Sequence, residues 1–294
     1  MPSNVLVPID GSDHSYGGLL YAFESFPDAE FTTLYVVDTE REWYEGPAFP
    51  EKWEARAEEA AAEVHDRAEE LAAEYGVDLE TETEMGVPHK RILAHVVDHE
   101  IDHVVMGSHG ESPITRPFVG HVAEAVARRA PVSVSVIPQS TTAIRTRNLP
   151  GKVLVPVDGS PRAEMALEYV FDQFPEASVT AMHVLNGQID YAHEELRGTY
   201  VEAIIENLEN RADDVLESAE ERAADFDREI DTETAYGKPK QVIVDHAAEE
   251  GFDGIVLGSH GRSGVARVLL GSVAETVVRR SSLPVTVVRP SEER

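Results

Sequence analysis

The chain of 294 residues contains no cysteine. That excludes a disulfide framework, a thiolate nucleophile and any cysteine-held metal. Lysine is scarce: of the 25 basic residues only Lys52, Lys90, Lys152, Lys238 and Lys240 are lysines. No apolar run approaches the length needed to cross a bilayer, and Met1-Pro2-Ser3-Asn4 enters Val5-Leu6-Val7 without a basic or apolar leader. We therefore expect no membrane association, no secretion and a cytoplasmic location. A Gly-x-x-x-x-Gly-Lys-Ser/Thr loop is missing, which argues against a Walker-type nucleotidase, and no Gly-x-Gly-x-x-Gly follows a first strand, which disfavours a Rossmann dehydrogenase. Positive charge is also short, with 55 acids against 25 bases and a net charge of -30. Nucleic acid is thereby an unfavourable partner, since its phosphates would meet like charge. Residues 1–150 hold 27 acids and 11 bases (-16), and residues 151–294 hold 28 and 14 (-14). Acidity spread over both halves reads as a solvated, salt-adapted surface rather than a local patch for a basic protein.

What the chain does have is an internal repeat. Asn4-Val5-Leu6-Val7-Pro8-Ile9-Asp10-Gly11-Ser12 recurs as Lys152-Val153-Leu154-Val155-Pro156-Val157-Asp158-Gly159-Ser160, an offset of 148 that also carries Phe26-Pro27 to Phe174-Pro175 and Val36 to Val184. Further on, Met106-Gly107-Ser108-His109-Gly110 recurs as Leu257-Gly258-Ser259-His260-Gly261, at an offset of 151. Two domains are expected, 1–139 and 151–294, with the polar, aperiodic stretch 140–150 as linker.

Strand and helix alternate within each copy. In copy one, strands are expected near 4–9, 31–37, 79–84, 102–107 and 132–137, and helices near 13–25, 51–75, 88–99 and 119–130. The second helix places Trp53, Ala57, Ala60, Val64, Ala68, Leu71 and Tyr75 on one face. Val104-Val105-Met106 and Ile255-Val256-Leu257 are apolar without alternation, as in parallel strands covered on both sides. The expected fold is α/β: two tandem, doubly wound domains, each a five-stranded parallel sheet of order 3-2-1-4-5 with helices on both faces. Its switch point falls between strands one and four, where open α/β sheets bind ligands.

Two features converge on that crevice. Asp10 and Asp158 end the first strands. After strand four of copy two comes Gly258-Ser259-His260-Gly261-Arg262, and then Gly271-Ser272-Val273 opening a helix. Gly258 and Gly261 would let backbone amides approach a sugar and phosphates. The helix start, with the Ser272 hydroxyl, would form an anion site, and Arg262 could add charge-assisted bonds. The blander reading of the same glycines is turns and a helix cap.

The spacing Gly-2x-Gly-9x-Gly-Ser, with Val155-Pro156-Val157-Asp158 and Met182-His183-Val184, resembles the universal stress protein family over nearly all of both copies. That resemblance implies an adenine nucleotide alpha hydrolase-like fold and ATP as ligand, with Mg²⁺ or Mn²⁺ carried on its phosphates and not caged by protein. It implies Pro156, Asp158, Val184 and Leu257 around adenine and Gly258 at the ribose, with Gly261, Gly271, Ser272 and Val273 giving amides to phosphates. It further implies pairing of the two copies through their fifth strands. Homo-oligomers and a protein partner are left open.

Copy one keeps Pro8, Asp10, Val36, Met106, Gly107, Gly110 and Gly120, but Glu111 replaces Arg262, Pro113 replaces Gly264, Pro117 replaces Val268 and His121 replaces Ser272. The acid repels phosphate and the prolines remove amide donors, so copy one is expected to bind weakly or not at all. His95 and His99, four apart on a helix with His89 and His103 nearby, are read as exposed helix residues and not as a metal site. His193-Glu194-Glu195 lacks the second histidine of a metalloprotease helix. Ser12 is read as a helix cap rather than a nucleophile. No catalytic residue is assigned. The expected function is an ATP-binding regulatory protein of the stress response. A slow ATP hydrolase or nucleotide-transferring enzyme, and an interaction module without nucleotide, are the alternatives.

Overall fold

The computed structural model describes residues 2–42, 50–109, 119–138, 144, 149, 151–186, 199–260 and 270–290. The first half runs β1 (Asn4–Ile9), α1 (Asp13–Ser25), β2 (Glu30–Asp38), α2 (Thr39–Glu42), α3 (Pro50–Tyr75), β3 (Leu79–Gly86), α4 (Pro88–Asp98), β4 (His103–Gly107), α5 (His121–Arg129) and β5 (Ser133–Ile137). The second runs β6 (Lys152–Pro156), α6 (Pro161–Gln173), β7 (Ser178–Leu185), α7 (Thr199–Ala224), β8 (Asp231–Tyr236), α8 (Pro239–Glu249), β9 (Gly254–Gly258), α9 (Ser272–Arg280) and β10 (Val285–Val288). The expected order 3-2-1-4-5 holds in each half: β1 pairs in parallel with β2 and β4, and β6 with β7 and β9. The short α2 had no counterpart among the expected elements.

The local signals are physical ones. Ser12 and Ser160 cap α1 and α6, their hydroxyls accepting from the amides of Ser15 and Ala163 at 3.2 and 3.3 Å. Pro88, Pro161 and Pro239 sit at helix starts, where a missing N–H costs nothing. On α3 the inward stripe includes Ala57, Ala68 and Leu71 as expected, with Ala61 and Ala72 added, while Ala60 and Val64 lie at its margin. The outer strands β3 and β8 are acidic, and charge on an unpaired edge discourages pairing with a further strand.

The fifth strands pair antiparallel, Val136 opposite Val285, Ser135 opposite Thr286 and Val134 opposite Val287, so all ten strands form one sheet. Ser135 and Thr286 are repeat equivalents and share a 2.7 Å hydrogen bond at the centre of a pseudo-two-fold. Helices α5 and α9 meet across the same axis through reciprocal ion pairs, Arg128–Glu275 at 3.1 Å and Arg279–Glu124 at 3.8 Å. One face of the sheet buries a single apolar cluster with residues from both halves, among them Phe23, Phe31, Leu71, Phe171 and Leu216. Ile144, in the stretch expected to be a polar linker, is fully buried in it. The other face buries Ile92, Val96, Ile243, Phe252 and Val277. The halves are therefore not independent beads on a tether. Among the described residues no helix is long and apolar enough to cross a membrane.

Candidate functional site

In both halves the switch point lies where expected, between β1 and β4 and between β6 and β9. Asp10 follows β1, and its Oδ1 accepts from the Ser12 amide and hydroxyl at 3.1 and 2.6 Å. Asp158 follows β6, and its Oδ1 accepts from the Ser160 amide at 3.0 Å. These bonds draw the turn tight and hold each carboxylate at the carboxyl edge of the sheet. In copy two, His183 Nδ1 bonds the Val157 carbonyl at 2.7 Å and the Val157 amide donates to the Met182 carbonyl at 2.9 Å. That bridge binds the Pro156–Asp158 segment to β7, next to Val184. Leu257 and Met106 are buried beneath the edge, while Val36 and Val184 are partly buried against the same core.

The glycines carry a packing load besides the one expected. A Cβ on Gly258 would lie 2.5 Å from the Arg162 carbonyl oxygen, and one on Gly107 would lie 2.6 Å from that of His14. Each packs its strand end against the first turn of the helix following strand one. They are needed with or without a ligand, which explains why copy one keeps Gly107. Gly258→Ala and Gly107→Ala are each expected to lower stability by on the order of 3 kcal/mol, because backbone rather than a flexible side chain must move. Denaturant titration checks this; wild-type midpoints in both variants would remove the packing argument.

The helix after strand four begins alike in both halves. Gly120 and Gly271 are the N-caps, with φ, ψ of -61°, 152° and -66°, 153°, and among the described residues no side chain caps the first amides of α5 or α9. The Gly271 amide donates to the Ser259 carbonyl at 2.8 Å, and Gly120 to Ser108 at 2.6 Å. The Gly271 amide, expected to reach a phosphate, thus already has an acceptor in the buried Ser259. The first-turn donors left are those of Ser272, Val273 and Ala274, since Glu275 is the first to close a helical bond, to Gly271 at 2.8 Å. Ser272 is exposed and Val273 half-buried. Gly110, Gly261 and Arg262, with Glu111, Pro113, Pro117, Gly264, Val268 and the 193–195 triplet, lie outside the described residues.

A pair of arginines in copy two, with a histidine beside them, escaped the sequence reading. Burial lowers the pKa of His260, and the charges of Arg289 and Arg162 lower it further. Burial likewise depresses Arg289, with Arg162 adding to the effect. All three gather at the carboxyl edge of β9 and β10. Arg289 also donates to the carbonyls of Ala127 and Arg128 at 2.9 and 2.8 Å, tying copy two to the end of α5. Among the described residues, His260 Nε2 and Arg289 Nε are buried without a hydrogen-bond partner. The repeat equivalents in copy one are His109, Pro138 and His14, a weaker positive set. Repeat comparison at the position after the fifth strand, Arg289 against Pro138, could have found it.

The reading of His95 as an exposed helix residue is also corrected. It is 1% exposed, because α4 turns this residue toward β3, where Glu84 Oε1 meets its Nδ1 at 3.0 Å. His103 is buried as well, within β4. His99 is exposed as expected.

A family model described as "Universal stress protein family" matches residues 1–138 and 150–289. A universal stress protein of Mycobacterium tuberculosis is 29% identical over 297 residues, covering 98% of this chain and 97% of its own. One from Bacillus subtilis is 34% identical over 145 residues, covering 47% of this chain and 98% of its own. A crystal structure of a universal stress protein from Archaeoglobus fulgidus superimposes with a TM-score of 0.69 at 23% identity, covering 98% of each chain, and so shares the fold. Two matches of the family model, one to each repeat, show that the chain belongs to the universal stress protein family.

Proposed function

We propose that this chain binds ATP in its second half and acts as a nucleotide-dependent regulatory protein of the stress response, in the cytoplasm. The proposed domains are 1–139 and 151–294, joined by 140–150. The observation that carries the reading is the helix start at Ser272. An uncapped row of amides stands at the switch-point edge beside Arg162, His260 and Arg289, in a chain whose net charge is -30. Local positive potential in so acidic a protein calls for a reason, and a polyanion supplies one. The two buried nitrogens without partners fit such an occupant.

In this reading Pro156, Asp158, Val184 and Leu257 border the adenine and Gly258 lies by the ribose. Ser272 and Val273 donate amides to phosphate oxygens, and the Ser272 hydroxyl adds a further bond. Mg²⁺ or Mn²⁺ on the phosphates would neutralise part of their charge. Gly261 and Arg262 complete the motif at the level of sequence. In copy one, Pro8, Asp10, Val36, Met106, Gly107, Gly110 and Gly120 keep the frame, but His121 stands where the hydroxyl would be and the cationic set is thinner.

The expected result of titrating the full chain with ATP and Mg²⁺ is one tight site per chain. Two equal, tight sites would refute the asymmetry, and none would remove the reading. Denaturing freshly purified protein and identifying the released nucleotide separates the roles. ATP favours a binding protein, ADP favours the hydrolase alternative, and nothing favours an empty interaction module.

A further inference from the structure

Outside the nucleotide edge, one group of side chains has the chemistry of a metal site. Nitrogens of His95 and His99 and a carboxylate oxygen of Glu82 lie within 4.8 Å of one another. Helix α4 brings the histidines together at i and i+4, and their rings stack with centroids 3.9 Å apart and a 14° interplanar angle. Strand β3 presents Glu82 and Glu84 on the face that α4 covers, Glu82 Oε2 lying 3.8 Å from His95 Nδ1.

His95 is prepared as a ligand. Glu84 accepts from Nδ1–H, which leaves the lone pair on Nε2. Glu84 is held in turn by Arg91 Nε at 2.5 Å. Nε2 is buried and has no hydrogen-bond partner, so its lone pair carries a desolvation cost that nothing in the described structure offsets. An imidazole whose other nitrogen donates to a carboxylate is the arrangement that orients metal-binding histidines and raises their basicity. The other two groups can move. His99 is exposed and uses Nδ1 toward the His95 carbonyl, at 3.3 Å, leaving Nε2 available. The Glu82 side chain is 39% exposed.

We propose that Glu82, His95 and His99 bind a divalent transition ion of the Zn²⁺ class, with Glu84 orienting His95 from behind. Two imidazoles and one carboxylate suit that class and leave a fourth position for water. Glu82 and His99 are the partners exposed enough to move toward the buried His95. The site lies against β3, the outermost strand of the first half, whereas the proposed phosphate site is in the second half, so the two are independent. Copy two is an internal control: the equivalents of His99 and Glu84 are Glu250 and Ala235, and His246 there pairs with Glu233 at 2.6 Å.

The test is titration of the nucleotide-free full chain with Zn²⁺, and with Co²⁺ followed by its visible d–d absorption. Excess Mg²⁺ is present to occupy the surface carboxylates. One site per chain is expected. His99→Ala, a change at an exposed position, should weaken it by on the order of 100-fold, and Glu84→Gln by about 10-fold. The absence of a stoichiometric site in the wild-type chain, or equal affinity in His99→Ala, would overturn the assignment.

Discussion

Replacing Ser272 by proline is expected to weaken ATP binding by about 100-fold while leaving thermal stability within about 0.5 kcal/mol of wild type. Ser272 is the first residue of α9, and its amide has no acceptor within the helix. Proline is favoured at that position, and Pro161 and Pro239 already hold it in α6 and α8. The residue before a proline must be extended, and Gly271 is, at φ -66° and ψ 153°. The substitution thus removes an amide donor and a hydroxyl at once without asking the backbone to move. Hydrogen bonds to a charged acceptor contribute about 1.5 to 3 kcal/mol each, so losing two that act together gives the stated factor without assuming additivity. Calorimetric titration beside a melting curve measures both quantities. Unchanged affinity would show that this helix start does not hold the phosphates. His121→Pro, the same change in copy one, should leave ATP binding as it is.

Much of the scaffold was legible because it rests on local chemistry that the repeat displays twice. The strand ends, the Ser12 and Ser160 caps and the switch points follow from short-range patterns, and a second copy tests each against the first. Facts that need knowledge of partners far apart in sequence were not legible. His95 looked like a polar residue on a helix surface, and only β3, eleven residues earlier, shows what neutralises its burial. Gly258 looked like room for a ligand, yet the atom that excludes a side chain is the backbone of Arg162, nearly a hundred residues away. Ile144 was one apolar residue in a polar stretch, and its burial depends on two halves closing over it. The arginine pair and its histidine were hidden for a related reason: Arg162, His260 and Arg289 come from three separate segments.

Acid is expected to weaken the joint between the halves through a single histidine. His103 is fully buried where β4 meets the pseudo-two-fold, and burial pushes its pKa down from 6.5 to about 3. Its neighbours are consistent with a neutral ring. The Tyr169 hydroxyl lies 3.3 Å from Nδ1, and Nε2 lies 2.9 Å from Ser135 Oγ, which continues to Thr286 at 2.7 Å. Tyr169 and Tyr21, both raised by burial, stay protonated and bring no negative charge. No carboxylate contributes to the His103 shift. The sign follows directly. The unfolded chain takes up a proton near pH 6.5 and the folded chain does not until about pH 3. Stability is therefore complete above pH 6.5, falls as pH drops through the interval, and stops falling from this cause near pH 3. Between pH 6.5 and 5, before most carboxylates titrate, the loss from this residue is about 2 kcal/mol. His103→Gln, which keeps polar atoms but cannot take the proton, should be less stable at pH 7.5 and show a shallower slope by that amount. Parallel slopes for the two proteins would mean that the His103 site admits a charged ring. Copy two avoids the problem: Gly254 stands at the equivalent position and, with Tyr21, Phe174 and Thr286, borders a void of about 10 Å³. One joint thus carries its acid sensitivity on one side of its axis only, which predicts that the first half, with β4 and α1, loosens before the second.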